Sequence, residues 1–460
     1  MITVEAKTRK HDMTQGAEWK LILLFAIPVM LGNLLQQLYS AADGIIVGRF
    51  IGEAALSSVG MTNGVTFLCT AFAMGLGVGA SVVVSQYFGA GKKDEIPVVI
   101  DTGLVLAVGV GAVVMLLAIF GGRTFLASVM KAPDHLLDDA TIYLQIYAAA
   151  MIFTFMYNVI AAILRGMGDS KATLYFLIVS AVTNVILDLL FVAVFKWGVV
   201  GAAVATSISQ TLCALVSLLY LRKRFKPVKG HRFDKKACKM ILRMGVPSAI
   251  QQSIVSFGNI AMQRLVNGFG QVSIAAYTAG NRLDLFMFVP VMGMSTSLSA
   301  FTGQNIGAGN MDRVKRGLRA TLVLSFSMAV FISILLKIFG SPVVAMFGLS
   351  GDSLARGVEQ VNCVTWWFWI FSLYMAIGGA FQGAGDVMTQ SAITLLTLFV
   401  RVALGYIGVG TGILDYEAAW VTMPIGWGVA LTVSIIRYFT GGWKKKAIVG
   451  KLAENKSKGE

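Results

Sequence analysis

Asp43 is a carboxylate in a stretch where lipid would tolerate none. Residues 20–49, KLILLFAIPVMLGNLLQQLYSAADGIIVGR, have the length and apolarity of a membrane-spanning helix, since about 20 mostly apolar residues cross a bilayer core. Asn33, Gln36 or Gln37, Ser40 and Asp43 recur at three- and four-residue steps, so one stripe of that helix is polar. A buried acid in hydrocarbon is costly and faces a bundle interior or a water-filled path. Its chemistry there is to hold a proton or a hard cation. Pro28, near the start of the run, removes one backbone donor and predicts a kink and a conformational hinge. Charges inside later apolar runs include Asp188, Arg282, Asp284 and Arg401. Asp284 is expected to pair with an arginine, either as a structural contact between helices or as a recognition group for substrate or coupling ion.

The composition requires a membrane around these residues. The chain is 56% hydrophobic and 13% charged, with a mean hydropathy of +0.75, which indicates a polytopic membrane protein. The net charge of +15 is no nucleic-acid signal, because the basic residues sit in short connections between apolar runs. Cys69, Cys213, Cys238 and Cys363 are scattered without a C-x-x-C, so neither disulfides nor zinc is implied. The first apolar run is too long and too polar-striped for a cleaved signal and reads as a first span.

Twelve apolar runs can be drawn between residues 20 and 440. Of the Lys and Arg residues, 29 fall on the side of the two tails, 7 on the opposite side and 2 inside spans. That bias puts both termini in the cytoplasm and implies an inner-membrane protein. The segment 222–239, RKRFKPVKGHRFDKKACK, is a basic linker between two halves, and it reads as a solvated, topology-fixing segment rather than a lipid or regulatory site. The expected organisation is a tail over 1–19, a first lobe over 20–221, the linker, a second lobe over 240–440 and a tail over 441–460. The halves repeat. Pro28 recurs as Pro247, IGEAALS as FGQVSIA, FGAGKKD as IGAGNMD, and RGMGDS as QGAGDV, at spacings of 217 to 219 residues. Six spans per half make the repeats parallel, so the fold expected is an all-α integral membrane protein with twelve transmembrane helices in two pseudo-symmetric six-helix lobes. A cavity between the halves is expected.

The second half carries its own stripe, Gln252, Ser256, Asn259 and Gln263. Asn33, Gln37, Ser40, Gln252, Ser256, Asn259, Asp284 and Met287 are therefore the candidates to line a substrate path. Met287, Met292 and Met294 read as core packing in preference to an adaptable binding pocket. The run Trp366-Trp367-Phe368-Trp369 reads as an interfacial belt in preference to a cation–π surface, and GLGVG at 75–79 as close helix packing in preference to a nucleotide loop. No Walker A, HExxH or G-x-S-x-G is present, and His11, His135 and His231 all lie outside the spans. An ATP-driven pump and an intramembrane enzyme are disfavoured, and no cofactor is implied.

The segments FAIPVMLGNLLQQLYSAADGIIVGRFIG, SQYFGAGKKDE, RGMGDSK and GQNIGAGNMDR together resemble the multidrug and toxic compound extrusion (MATE) transporters over nearly the whole chain. The resemblance implies two six-helix lobes in a V, alternating access, and antiport of organic cations or drugs against H⁺ or Na⁺ by a monomer. In the DinF-like branch of that family an Asp on helix 1, an Asn and an Asp on helix 5 and a Thr on helix 6 form a first-lobe ion site. Those positions are filled here by Asp43, Asn184, Asp188 and Thr206. The NorM-like branch places carboxylates on helices 7 and 10, where this chain has Gln251 and Gln252 and no deep acid, which favours the DinF-like reading.

Geometry supports that set independently. Asp43, Asp188 and Thr206 lie about six to eight residues from the outer ends of their spans, and at ~1.5 Å per residue these depths agree within a few ångströms. Asn184 and Asp188 share a face by i,i+4 spacing. Two carboxylates, an amide oxygen and a hydroxyl suit Na⁺ or a proton. The alternative is a hydrogen-bond network that only holds the lobe together. A flippase for a lipid-linked precursor is the competing transport reading, but it calls for a strongly cationic cavity, for which only Arg282 and Arg401 are available.

Overall fold

The computed structural model describes residues 12–130, 133–227 and 233–448. Lys131, the middle of the basic linker, His11, His231 and the far ends of both tails lie outside the described residues. Helices account for nearly all of the rest, as a membrane requires: only helices and closed barrels satisfy their own backbone polar groups in hydrocarbon. The first half comprises α1 (Glu18–Phe50), α2 (Glu53–Gly89), α3 (Ile96–Ser128), α4 (Asp134–Ala149), α5 (Met151–Gly166), α6 (Ser170–Asp188) and α7 (Gly198–Arg224). The second comprises α8 (Lys235–Asn267), α9 (Gly270–Gly307), α10 (Met311–Ala345), α11 (Gly351–Ala384), α12 (Val387–Gly410) and α13 (Ala418–Thr440).

Ten of these helices are long and apolar enough to cross a membrane, and α4 with α5 forms an eleventh, bent by 52°. The twelfth expected span is α8, a continuous helix of 33 residues. Its polar stripe and basic start dilute the apolar content that marks a span by composition alone. Large side chains such as Leu117, Phe120 and Phe439 stand exposed on the outer faces, as they do where lipid is the solvent.

Contacts divide the chain into two compact units, and the division falls inside helices rather than at the linker. One unit holds Leu31–Ile250; the other holds Met13–Met30 and the chain from Gln251 onward. Thus α1 passes from one unit to the other three residues after Pro28, and α8 does so four residues after Pro247. The N-terminal part of each helix is built into the unit that its C-terminal part does not join.

In the first unit α5 packs on α2 and α3, and α7 packs on α4, α5 and α6. The inner half of α8 lies directly on α2: a Cβ at Gly75 would stand 2.5 Å from the Gly245 carbonyl, and one at Gly79 would strike the Ile241 carbonyl. The GLGVG segment is therefore a close helix crossing. In the second unit α11 is the central helix, packed on α9, α10 and α13. Phe288, Phe371 and Trp427 interlock in its core, with ring centroids 4.6 Å and 5.1 Å apart. The start of α1 is held here too. Gly293 of α9, the repeat partner of Gly75, packs on Met30, and the Ser297 hydroxyl donates to the Ile22 carbonyl at 2.7 Å. The chain before α1 is clamped by Gln304, Asn305 and Arg313, and Arg313 and Arg316 both pair with Glu18.

The repeated motifs have a structural cause. Gly91 and Gly309 (φ 68° and 74°), and Gly168 and Gly385 (φ 87° and 88°), turn the chain through left-handed backbone that favours glycine. After the latter pair comes an aspartate at the head of a helix. Asp169 accepts from the Ala172 amide, the Tyr220 hydroxyl at 2.7 Å and Arg224 at 3.2 Å. Asp386 accepts from the Thr389 hydroxyl and from two nitrogens of Arg437, at 2.9 Å and 2.7 Å. Both carboxylates are 2% exposed, so RGMGDS and QGAGDV close the corresponding end of each half by the same charge-assisted latch.

Candidate functional site

Three helices of the first unit converge on one polar point. The outer half of α1 brings Asp43, α6 brings Asn184 and Asp188, and α7 brings Thr206. The Asn184 amide donates to the Thr206 hydroxyl at 3.4 Å, and the carboxyls of Asp43 and Asp188 lie side by side. Asn184 and Asp188 are fully buried and Thr206 is 4% exposed. The i,i+4 spacing does what the sequence requires of it, since both side chains fall on the inward face of α6.

The acceptors in this group outnumber its donors. Oδ1 of Asp43, Oδ1 of Asn184 and both carboxyl oxygens of Asp188 have no hydrogen-bond partner. Buried oxygens left unpaired are expensive, and two adjacent carboxyls cannot both stay ionised without a compensating positive charge. The arrangement is fitted to a proton or a hard cation. Among the described residues no group of three His, Cys, Asp or Glu side chains is placed to hold a metal ion; the oxygen set here has only two acids and resembles an alkali-cation site in its chemistry.

Immediately after Asp188 the α-helix gives way to a π-helical turn, Leu189–Val194. Such wide turns concentrate at functional sites because they re-aim the residues around them. This one is braced by Phe191 stacked on Trp197, with centroids 4.8 Å apart. Sequence reading missed two tyrosines. Tyr39 neighbours Asp43 and Gln210, and Tyr143 on α4 neighbours Thr206 and Asp43. Tyr39 and Gln210 were detectable, each being one helical turn from a site residue on the same helix. Tyr143 carries no such signal.

The stripe residues occupy their own units and are not drawn into this point. Along α1, Asn33 is half-buried and Gln37 and Ser40 are exposed. Along α8, Gln252 and Ser256 are half-buried and Asn259 is exposed, with the Ser256 hydroxyl donating to the Gln252 carbonyl. Met287 is 2% exposed within the apolar core of the second unit, so of its two readings the structure takes packing. The tryptophan run divides likewise. Trp366 and Trp367 face outward, Phe368 is buried, and the Lys337 amine stands 5.0 Å over the Trp366 ring.

The ion pair expected of Arg282, Asp284 and Arg401 is not formed. Arg282 is exposed while Asp284 is 4% exposed, because residues two apart on a helix point to opposite sides. Arg401 instead donates to the Tyr277 hydroxyl at 3.2 Å and the Ala419 carbonyl at 3.3 Å. Both Asp284 oxygens are left unpartnered.

Comparisons with known proteins identify the family and the fold. The MatE family model matches residues 28–190 and 247–407, one match per half. A probable multidrug resistance protein, YoeA of Bacillus subtilis, is 30% identical over 94% of this chain and 95% of its own length. A second from the same organism, YpnP, is 29% identical over 88% and 93%. A solved outward-facing multidrug resistance MATE family transporter superposes with a TM-score of 0.87 at 25% identity, covering 94% of this chain and 98% of the other. With both halves matched and its two-unit helical fold shared, the chain belongs to the MatE family, a family of membrane transporters rather than enzymes.

Proposed function

We propose that the protein is a secondary active multidrug exporter that moves organic, mostly cationic, compounds out of the cell in exchange for H⁺ or Na⁺ by alternating access. The observation that carries this reading is the cluster of Asp43, Asn184, Asp188 and Thr206, with its unpartnered oxygens on Asp43, Asn184 and Asp188, and with Asp43 carried by the helix that changes unit just after Pro28. A proton or Na⁺ bound there neutralises the acid pair. Its release restores a charge that pulls on the outer half of α1, while the inner half stays clamped by α9 and α10. Pro28 is where that difference is taken up. Transport in this family needs no bound cofactor.

The two lobes, 20–221 and 240–440, are joined by the basic linker 222–239, with both tails in the cytoplasm and the spans in the inner membrane. Asn33, Gln37 and Ser40 present a polar substrate-facing stripe on α1, and Gln252, Ser256 and Asn259 present one on α8. The first-lobe set matches the DinF-like arrangement. The deciding experiment is transport of an organic cation by the reconstituted protein in vesicles under Na⁺ and H⁺ gradients imposed separately. Efflux that responds to neither gradient removes the antiport reading.

A further inference from the structure

The second unit holds a buried acid that the first-unit site does not use. Asp284 lies on α9, 4% exposed, with neither carboxyl oxygen hydrogen-bonded. Gly280, one turn earlier on the same helix, leaves the space that the Gln360 side chain of α11 fills; a Cβ at that glycine would overlap the Gln360 amide. Gln360 is itself fully buried with both amide atoms unpartnered. Beside them Arg401 of α12 is tied to Tyr277 and Ala419, and its Nε has no partner. Leu283, Val344 and Val361 seal the flank.

The other charged and titratable groups on this part of the unit are engaged elsewhere. Arg356 donates to the Ser273 hydroxyl and stacks on Tyr416 at 3.8 Å, and Glu359 accepts from the Tyr416 hydroxyl. Lys337 sits over Trp366, Glu417 accepts from the Asp415 amide, and Arg282 is exposed on the opposite side of α9. Cys363 is half-buried one turn beyond Gln360. Arg401 is the charge that acts on Asp284.

We propose that Asp284 is the proton-binding group of a second site, with Arg401 as its stored counter-ion. With its proton bound, Asp284 is neutral and leaves Arg401 on the Tyr277 hydroxyl and the Ala419 carbonyl, the contacts that Arg401 makes here. When Asp284 gives its O–H proton to water, the carboxylate formed has no partner in a dry pocket. Arg401 then exchanges its two neutral acceptors for that carboxylate, and the Gln360 amide donates to it as well. Reprotonation reverses the exchange. The movement joins α9, α11, α12 and α13 in one two-state contact, which lets proton occupancy bias the packing of this unit. The proton bound here is additional to any held by Asp43 and Asp188, and the proposal stands whether or not those residues couple to transport.

The test is pH-jump infrared difference spectroscopy on the full chain in lipid vesicles, reading the band of protonated carboxyls. In an Asp43→Asn/Asp188→Asn variant a titrating buried-carboxyl band should remain, and adding Asp284→Asn should remove it. Tyr277→Phe deletes only a hydroxyl and frees Arg401 to pair, so it should move the midpoint of that band to lower pH. Arg401→Gln should move it to higher pH. A spectrum in the double variant that is indifferent to Asp284→Asn overturns the proposal. So does an Asp284-dependent band that stays unchanged across the whole pH range, which is the behaviour of a permanently neutral packing residue. An unmoved midpoint in Tyr277→Phe removes the role given to Arg401.

Discussion

Thr206→Val separates a sodium site from a proton site within the same cluster. The substitution removes one hydroxyl and keeps nearly the same shape in a position that is 4% exposed. The hydrogen bond it deletes is long, 3.4 Å from the Asn184 amide, so folding should lose no more than about 1 kcal/mol. The effect on a bound cation is larger. A four-oxygen set that loses one neutral oxygen in a desolvated pocket forfeits about 1–3 kcal/mol, taking the cost of an unmade buried polar contact as the scale. At 1.4 kcal/mol per tenfold, that is roughly 5- to 150-fold weaker Na⁺ binding. A proton rides on the carboxyls of Asp43 and Asp188 and needs no ligand from Thr206, so a proton-driven cycle should change about twofold or less. The assay is efflux from reconstituted vesicles as a function of Na⁺ at fixed pH, repeated with a pH gradient in the absence of Na⁺. If efflux is driven by Na⁺ and Thr206→Val leaves its Na⁺ dependence unchanged, the four-residue ligand set is wrong.

Asp43→Asn and Asp188→Asn should each preserve expression and abolish gradient-driven efflux, because each fixes one neutral state; wild-type pumping by Asp43→Asn makes that residue structural. Pro28→Ala should slow turnover several-fold while leaving ion binding in place, and a Pro28→Ala transporter that loses ion binding contradicts a hinge role. Gly79→Val should lower thermal stability by about 1–3 kcal/mol or more through overpacking of α2 on α8, read as a lower melting midpoint in detergent, whereas a neutral result denies the close crossing. Single cysteines at Asp352 and Lys236 should react with an impermeant reagent in sealed cells only at Asp352, and labelling at Lys236 reverses the topology.

What the sequence made legible follows from how each feature is encoded. A polar stripe at helical spacing survives any error in helix boundaries, so Asp43 emerges from the pattern, whereas Asn184 and Asp188 come from the family resemblance and fit it by their i,i+4 spacing. The break in the fourth span does not. Residues 147–153, YAAAMIF, contain neither proline nor glycine, and the 52° bend between α4 and α5 arises where tertiary packing overrides a uniform apolar run. The π-turn after Asp188 is equally silent, since Leu189–Val194 reads as ordinary span. Tyr143 was hidden because a tyrosine in an apolar run reads as an interface anchor. The expected Asp284–Arg401 pair fails for a different reason: composition places opposite charges at membrane depth, but only the geometry of Tyr277 and Ala419 decides which acceptors the arginine takes.

The exchange of half-helices explains why the prolines repeat when most of the sequence between the halves has drifted. A helix that belongs wholly to one unit can be moved by that unit without bending. Here α1 carries Asp43 in one unit and is clamped at Ile22 and Met30 in the other, while α8 is pinned at Gly245 and Ala249 to α2 and carries its stripe in the second unit. Both helices thus carry a unit boundary within a continuous helix. The proline lowers the cost of bending where the missing backbone donor already weakens the ladder. The close packing at Gly75 and Gly293 fixes the inner halves, so strain concentrates just beyond Pro247 and Pro28. On this argument a single proline suffices to let its own helix bend, but the two-unit movement needs both, and Pro28→Ala combined with Pro247→Ala should slow turnover by more than the product of the single effects. A double variant no slower than either single variant would place the hinge elsewhere.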